Sequence, residues 1–274
     1  RMPLDEEYAE GLKTNFADVA NVATSFPGFV PLARSAGRVS GVITERGELR
    51  CEQVLLAGGI WTRRFLGNLG IPLLTLPVLA SVARTGPLDG LGDITVGAPD
   101  FSFRKRLDGG YTIGHRGAMH APMTLDNLLI GSRYLSTLRH EWTNVRISMG
   151  REFFGDLALP RRWDGAHRSP FESVRTLDPR VNVGVNLEAA DNIIKAWPVF
   201  KNAVIKQQWA GMIDVTPDSL PFIERVAAVP GLTVAAGFSG HGFATAPAAG
   251  QLAADLVTGA PPLVDPAPYR LARF

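Results

Sequence analysis

Residues 237–243, Gly-Phe-Ser-Gly-His-Gly-Phe, set three glycines and an imidazole between the apolar run Leu232–Ala236 and a helical pattern. Glycines let the main chain approach a ligand closely. The first turn of a helix adds free N–H groups carrying about half a positive charge. A strand that turns through glycines into a helix can therefore cradle an anion, although many tight strand–helix turns are only structural. His241, between Gly240 and Gly242, can supply a hydrogen bond or a proton there. His115 and Arg116 close a β-rich run. Arg116 can clamp a carboxylate by two parallel hydrogen bonds or sit in a surface ion pair. His115 can touch substrate or act as a structural hydrogen-bonding group.

Other chemistries find less support. Gly237-Phe238-Ser239-Gly240-His241 has the outline of a hydrolase nucleophile elbow, but that motif needs glycine at the place of His241 and a histidine later in the chain. None follows His241. His120, His140 and His167 are too scattered for a metal site. Cys51, the one cysteine, lies in an apolar strand pattern and reads as a buried inert thiol. Trp163 and Trp197 read as packing residues, or as a cage for a methylated amine. Lys and Arg number 28 against 26 Asp and Glu, a net charge of +2 that makes no case for nucleic acid or a polybasic membrane surface. No apolar run approaches the ~20 residues needed to cross a bilayer. No signal-peptide pattern is present, and the setting expected is reducing and cytoplasmic.

The elements that must position these groups are legible in parts, and no internal repeat is present. Residues 1–37 carry a short acidic helical pattern and a turn signal at Ser25–Gly28. Val39–Thr44 and Leu49–Ala57 read as strands joined by a turn at Glu45–Glu48, and Trp61–Leu69 as a helix. Val54-Leu55-Leu56-Ala57 is continuously apolar, as expected of a strand covered on both faces. Thr75–Thr85 and Phe101–Arg116 read as strands, the latter with a type I′ hairpin turn at Asp108-Gly109. Thr124–Trp142 is expected to be one amphipathic helix. Val185–Val204 is expected to be another, broken by Pro198. Leu232–Ala236 reads as a strand and Thr245–Thr258 as a helix capped by Thr245, with Pro247 in its first turn and Gly259 at its stop. The prolines from 261 to 268 read as a stiff surface tail.

Several spaced motifs in order resemble the D-amino-acid oxidase-like flavoproteins, which include glycine, sarcosine and γ-glutamylputrescine oxidases and D-amino-acid dehydrogenases. These are Trp209-Ala210-Gly211-Met212, Thr216-Pro217-Asp218-Ser219-Leu220-Pro221, Gly231-Leu232, the Gly237–Phe243 turn, Pro247 and Gly250. A second segment, Val39–Gly70, is similar to the family's hairpin, apolar strand and Ala-Gly-x-Trp element. The resemblance spans roughly Arg38 to Thr258. It implies a mixed α/β fold: a partial FAD-binding α/β layer (residues 1–74 and 208–274) and a substrate domain on a largely antiparallel sheet (residues 75–207). It implies FAD, with Gly240, His241, Gly242 and Phe243 at the pyrimidine end of the flavin. Gly58 and Trp61 would approach the cofactor, and the segment from Gly211 to Asp218 would pass near ring and substrate. A helix N-terminus suits that end, because reduced flavin is negative there.

The implied activity is oxidation of an amine or amino-acid C–N bond: a neutral amine gives hydride to flavin, and water hydrolyses the imine. Two departures qualify this. The G-x-G-x-x-G fingerprint that grips the ADP part of FAD is absent from these 274 residues, so a second polypeptide or a further segment is expected to supply it. Ile213 stands where the amino-acid oxidases carry a carboxylate-clamping arginine. Met212 and Ile213 also provide no cysteine for a covalent flavin link, so the flavin is expected to be noncovalent. The alternative is a noncatalytic subunit or remnant that needs a partner chain to bind FAD. The amine and the electron acceptor are not legible.

Overall fold

The computed structural model describes residues 29–44, 47–89, 92–141, 145–164, 167–174 and 177–274. The helical pattern and turn expected before residue 29 lie outside them, as do Glu45, Arg46 and Trp142. The fold is mixed α/β, with thirteen strands in three sheets among the described residues.

The first sheet is an antiparallel meander of β1 (Phe29–Ser35), β2 (Arg38–Thr44) and β3 (Gly47–Arg50). The strand expected over Leu49–Ala57 is two strands in two sheets. The chain leaves the meander at Arg50 and re-enters structure as β4 (Val54–Leu56), which pairs in parallel with β13 (Leu232–Ala236). β12 (Phe222–Arg225) pairs on the other side of β13. β4 is not covered on both faces: Val54 and Leu56 are buried, while Leu55 is 45% exposed. Helix α1 (Trp61–Asn68) follows, and its Phe65 and Leu66 join Val54, Leu56, Val234 and Phe222 in one core.

The seven-stranded sheet runs β10 (Val145–Ser148), β9 (Met119–Pro122), β5 (Leu76–Thr85), β8 (Tyr111–Gly114), β7 (Ser102–Lys105), β6 (Thr95–Gly97), with β11 (Ile205–Val215) on the other edge of β5. Only the β9–β10 pair is parallel. Strand alternation gives this sheet two different faces. Val96, Phe103, Ile113 and Ala83 pack with Ile193 of helix α6 (Val183–Ala196) and with Trp197 and Phe200 beyond it. Trp197 lies edge-on to Phe103 at 5.2 Å, a packing role. The opposite face carries the small row Gly97, Ser102, Gly114 and Val82, aligned by register, and then Trp209.

Elsewhere the chain departs from its patterns. The Asp108-Gly109 turn is not type I′: only Gly109 has positive φ (+79°), and Asp108 instead accepts the Gly110 N–H at 3.0 Å. Residues 124–142 do not form one helix. α2 (Leu125–Ile130), a 3-10 turn at Gly131–Tyr134 and α3 (Leu135–Glu141) replace it, with Leu128, Leu129 and Leu135 exposed. α4 (Arg151–Ala158) and α5 (Pro170–Ser173) complete that region. The second expected helix ends at Ala196, just before Pro198, as the missing proline N–H requires. Helix α7 begins at Gly242 rather than Thr245 and runs to Thr258. His241 is its cap, Thr245 donates its hydroxyl back to the His241 carbonyl, and Pro247 lies inside the helix. The proline-rich tail packs back: Leu271 N–H donates to Glu224 at 2.6 Å, and Leu271 joins the core.

Candidate functional site

Parallel pairing of β4 with β13 (Val54 opposite Leu232, Leu56 opposite Val234) brings their carboxyl ends side by side. Ala57-Gly58-Gly59 leaves one strand and Gly237–Gly242 leaves the other. The carboxyl ends of parallel strands are where open α/β sheets bind ligands. The turn after β13 is a built structure. Gly237, Ser239 and Gly240 all have positive φ (+76°, +52° and +83°). A Cβ on Gly237 would lie 2.5 Å from Thr216 Cγ2, so glycine is required there. Thr216, fully buried, donates its N–H to Ser239 Oγ at 3.1 Å.

Beyond the turn the 17-residue α7 opens with its first-turn N–H groups free of side-chain caps. Gly240, His241 and Phe243 are exposed, Phe243 at 99%, and the His241 ring makes no hydrogen bond among the described residues. Gly242 is half-buried against Phe238. This is an accessible helix N-terminus that suits a ligand edge bearing negative charge.

The turn also meets the open face of the large sheet. A Cβ on Gly240 would lie 3.6 Å from Ile213 Cδ1. Ile213 alternates with Gly211 and Trp209 on the face turned away from α6, and space around Gly211 is open. On the same face Arg116 lies across Gly97, where a Cβ would meet Arg116 Nη1 at 2.6 Å. Arg116 is exposed and makes no ion pair among the described residues. By register, the helix turn, Ile213, Gly211 and Arg116 thus lie on one accessible face of the large sheet, its basin.

The other expected residues are placed differently. His115 faces α6 rather than the basin. Its side chain is 6% exposed, with Nε2 3.5 Å from Glu188, which also holds Arg146 by two bonds of 2.7 and 2.8 Å. His120 bonds Ser148 at 2.6 Å, and His167 pairs with Asp164. Asp218 turns to the C-terminal tail, accepting Arg273 at 2.8 and 3.0 Å. Burial raises its carboxyl, but Arg273 and the Leu220 N–H outweigh burial and hold it below the usual range. Trp61 packs edge-on to Phe171 at 5.6 Å and lines a cavity of about 320 Å³ with Thr75, Met212 and Asp214. Cys51 is half-buried against the core, and burial pushes its thiol up, away from reactivity. No group of three His, Cys, Asp or Glu that could hold a metal occurs among the described residues. No helix among them is long and apolar enough to cross a membrane.

Sequence reasoning missed Asp214 and an ionic network. Asp214 Oδ2 accepts the Gly237 N–H at 2.6 Å, tying the turn to β11. Asp126, at the start of α2, accepts Arg63 at 2.9 Å and Arg161 at 2.8 Å, and Asp156 joins Arg64 and Arg161. The one signal for Asp214 was a carboxylate in the run Met212-Ile213-Asp214-Val215, where an apolar residue would otherwise continue the strand.

A glycine oxidase from Pseudomonas aeruginosa is 30% identical over 237 residues, covering 86% of this chain and 50% of the relative. The L-amino acid deaminase from Proteus myxofaciens, solved in complex with anthranilate, is 32% identical with a TM-score of 0.85, covering 90% of this chain and 55% of that one. The chain therefore spans about half the length of these relatives. A stretch of 41 residues is 63% identical to a probable cytosol aminopeptidase from Polaromonas sp., 15% of this chain and 8% of that protein, too little to carry an activity. Residues 29–256 match the model of the FAD dependent oxidoreductase family, and the chain belongs to that family.

Proposed function

We propose that the chain forms the substrate-facing and flavin-edge part of an FAD-dependent oxidoreductase acting on an amine or amino acid. The observation that carries this reading is the meeting of the α7 N-terminus with the open sheet face at Gly240 and Ile213. FAD fits the residues present. The exposed N–H groups before Thr245 offer donors to the flavin pyrimidine edge, and Gly58, at the end of β4, leaves room for close approach. We assign residues 1–74 and 208–274 to the cofactor side and residues 75–207 to the substrate side. The dinucleotide fingerprint would come from a second polypeptide or a further segment. Bound flavin would supply the acceptor for a hydride from the C–N carbon.

The chain's own residues would bind, orient and exclude water. Gly211 leaves open space on the sheet, and Trp209 and Ile213 give it apolar borders. Arg116, without an ion pair among the described residues, would hold a substrate carboxylate in place of an arginine at position 213. The anthranilate bound by the Proteus deaminase carries a carboxylate and an amine, which is consistent with this. His241 would donate or accept a hydrogen bond at the cofactor edge. No residue of the basin is placed as a general base, so an amine bound uncharged is the expected donor. With Cys51, the one cysteine, half-buried against the core that holds β4 and none beside Ile213 in sequence, the flavin would be noncovalent.

The test is the visible spectrum of the purified protein with FAD, alone and with a polypeptide carrying the fingerprint, followed by anaerobic addition of amino acids. A flavin band that bleaches with an amino acid supports the reading. A bound flavin that no amine or amino acid bleaches refutes the amine activity, and no flavin under either condition favours a noncatalytic role.

A further inference from the structure

The glycine-rich turn is fastened to the end of β11 by one acidic side chain. Asp214 Oδ2 accepts the Gly237 N–H at 2.6 Å, and the N–H groups of Phe238 and of Asp214 itself lie close enough to favour the ionised carboxylate. The Asp214 main-chain carbonyl accepts the Ser239 N–H at 3.0 Å. The remaining anchors are neutral: Thr216 N–H to Ser239 Oγ, and Ser239 Oγ to the Gly237 carbonyl at 3.3 Å. No cation pairs with Asp214 among the described residues.

Burial pushes the Asp214 carboxyl above the usual range, outweighing the Gly237 N–H and the main-chain N–H groups beside it. A carboxyl raised in the fold stabilises it only while protonated. That contribution is complete below the unfolded-state value and is lost as pH rises through the folded one. At neutral pH the ionised group therefore costs stability. Its use must lie in what it holds. A carboxylate is acceptor-only and accepts N–H bonds more strongly than a neutral oxygen. An asparagine would have one acceptor oxygen and would aim two donors among main-chain N–H groups.

We propose that Asp214 is a positioning residue whose carboxylate aims the Gly237–Gly240 turn, and with it the free N–H groups at the start of α7, toward the ligand edge. Only the identity of that ligand rests on the flavin reading. The charged groups lining the cavity beside Asp214 are Arg63 and Arg64 from α1, Asp126 from α2 and Asp156 from α4, all paired among themselves. His241 follows the turn.

The experiment is residue-resolved amide hydrogen exchange on the 274-residue chain without cofactor, comparing wild type, Asp214→Asn and Asp214→Glu. In Asp214→Asn, protection at Gly237 and Phe238 should fall ~10-fold or more while β13 keeps its protection. The thermal midpoint should stay at or above that of wild type, and Asp214→Glu should recover part of the protection. Unchanged protection overturns the proposal. So does a fall spread over β13 with a lowered midpoint, or a variant that does not fold, because each makes the carboxylate a general support of the fold. In wild type, the Gly237 amide resonance should titrate with a midpoint above the ordinary carboxylate range, and an invariant resonance overturns the proposal as well. A chain with this behaviour that never takes up FAD would refute the flavin reading alone.

Discussion

At Gly237 a side chain would have to accept a φ of +76° and begin 2.5 Å from Thr216 Cγ2. Gly237→Ala should therefore destabilise the protein by roughly 2–4 kcal/mol, backbone strain plus displacement of a buried residue. Gly240 shares the positive φ but has open space, with Ile213 no nearer than 3.6 Å. Its alanine variant should cost only about 1 kcal/mol. Urea denaturation of the two variants checks the difference. Arg116→Ala should raise the KM for a carboxylate-bearing amino acid roughly 10- to 100-fold in the FAD-loaded protein, the worth of a charged hydrogen bond, with little effect on a simple amine. Steady-state kinetics on both substrates decides this, and equal losses would show that Arg116 does not read the carboxylate. The glycines and His241 were legible in sequence because their turn is local, bounded by an obvious strand and helix. The role of Asp214 and the tail partner of Asp218 were not, because they depend on Gly237 and Arg273, 23 and 55 residues away.

Helices α1, α2 and α4 are short, and an alternating chain of charges ties them: Arg63, Asp126, Arg161, Asp156, Arg64. Burial opposes ionisation of Asp126, yet Arg63 and Arg161 together hold its carboxyl below the usual range. Asp126→Asn leaves two guanidinium groups under-paired and should cost roughly 1–3 kcal/mol. Adding Arg63→Gln to that variant should cost less than it does in wild type, a coupling that a double-mutant cycle measures. The same region shows where periodicity misleads. Thr124–Trp142 carries leucines at helical spacing, but Gly131 interrupts the helix and Tyr134 turns inward to donate its hydroxyl to the carbonyls of Leu74 and Val215. That long-range anchor sets the break. Leu49–Ala57 failed differently: only Val54–Ala57 is continuously apolar, and the distant partner β13 makes Val54 the start of a new sheet. Where an element is fixed by its own alternation, as in Leu76–Thr85, the expected and observed bounds differ by one residue.

Across the whole molecule, the mixed α/β class and the largely antiparallel large sheet were implied by the family resemblance, while the sheet-to-sheet connections were not legible. The pH response sums residues of opposite sign. Asp126 and Asp218 have lowered folded-state carboxyl values, so their stabilisation is present at neutral pH and is lost as pH falls through those values. Asp214 works in the other sense. Acid unfolding should therefore set in below about pH 4, and Asp214→Asn should gain stability at neutral pH but not in acid, as thermal melts across pH would show. The surface asymmetry leads to the last prediction. Leu55 on β4, the Ala57-Gly58-Gly59 exit, Phe243 and the outer side of α7 are all exposed, and they adjoin one another at the carboxyl ends of β4 and β13. Apolar surface concentrated beside an accessible helix N-terminus suits covering by polypeptide and a bound nucleotide. FAD added to the 274-residue chain alone should bind with a Kd weaker than ~10 μM, because under the proposed reading these residues would contact one end of the cofactor and lack the fingerprint for the other. Adding a polypeptide that carries G-x-G-x-x-G should tighten binding at least ~100-fold and protect amides at Leu55–Gly59 and Gly240–Ala244 together. Fluorescence titration gives the first quantity and hydrogen exchange the second. Tight binding by the chain alone would mean that the flavin edge carries most of the affinity. Tightening without protection would mean that the added polypeptide docks on another face.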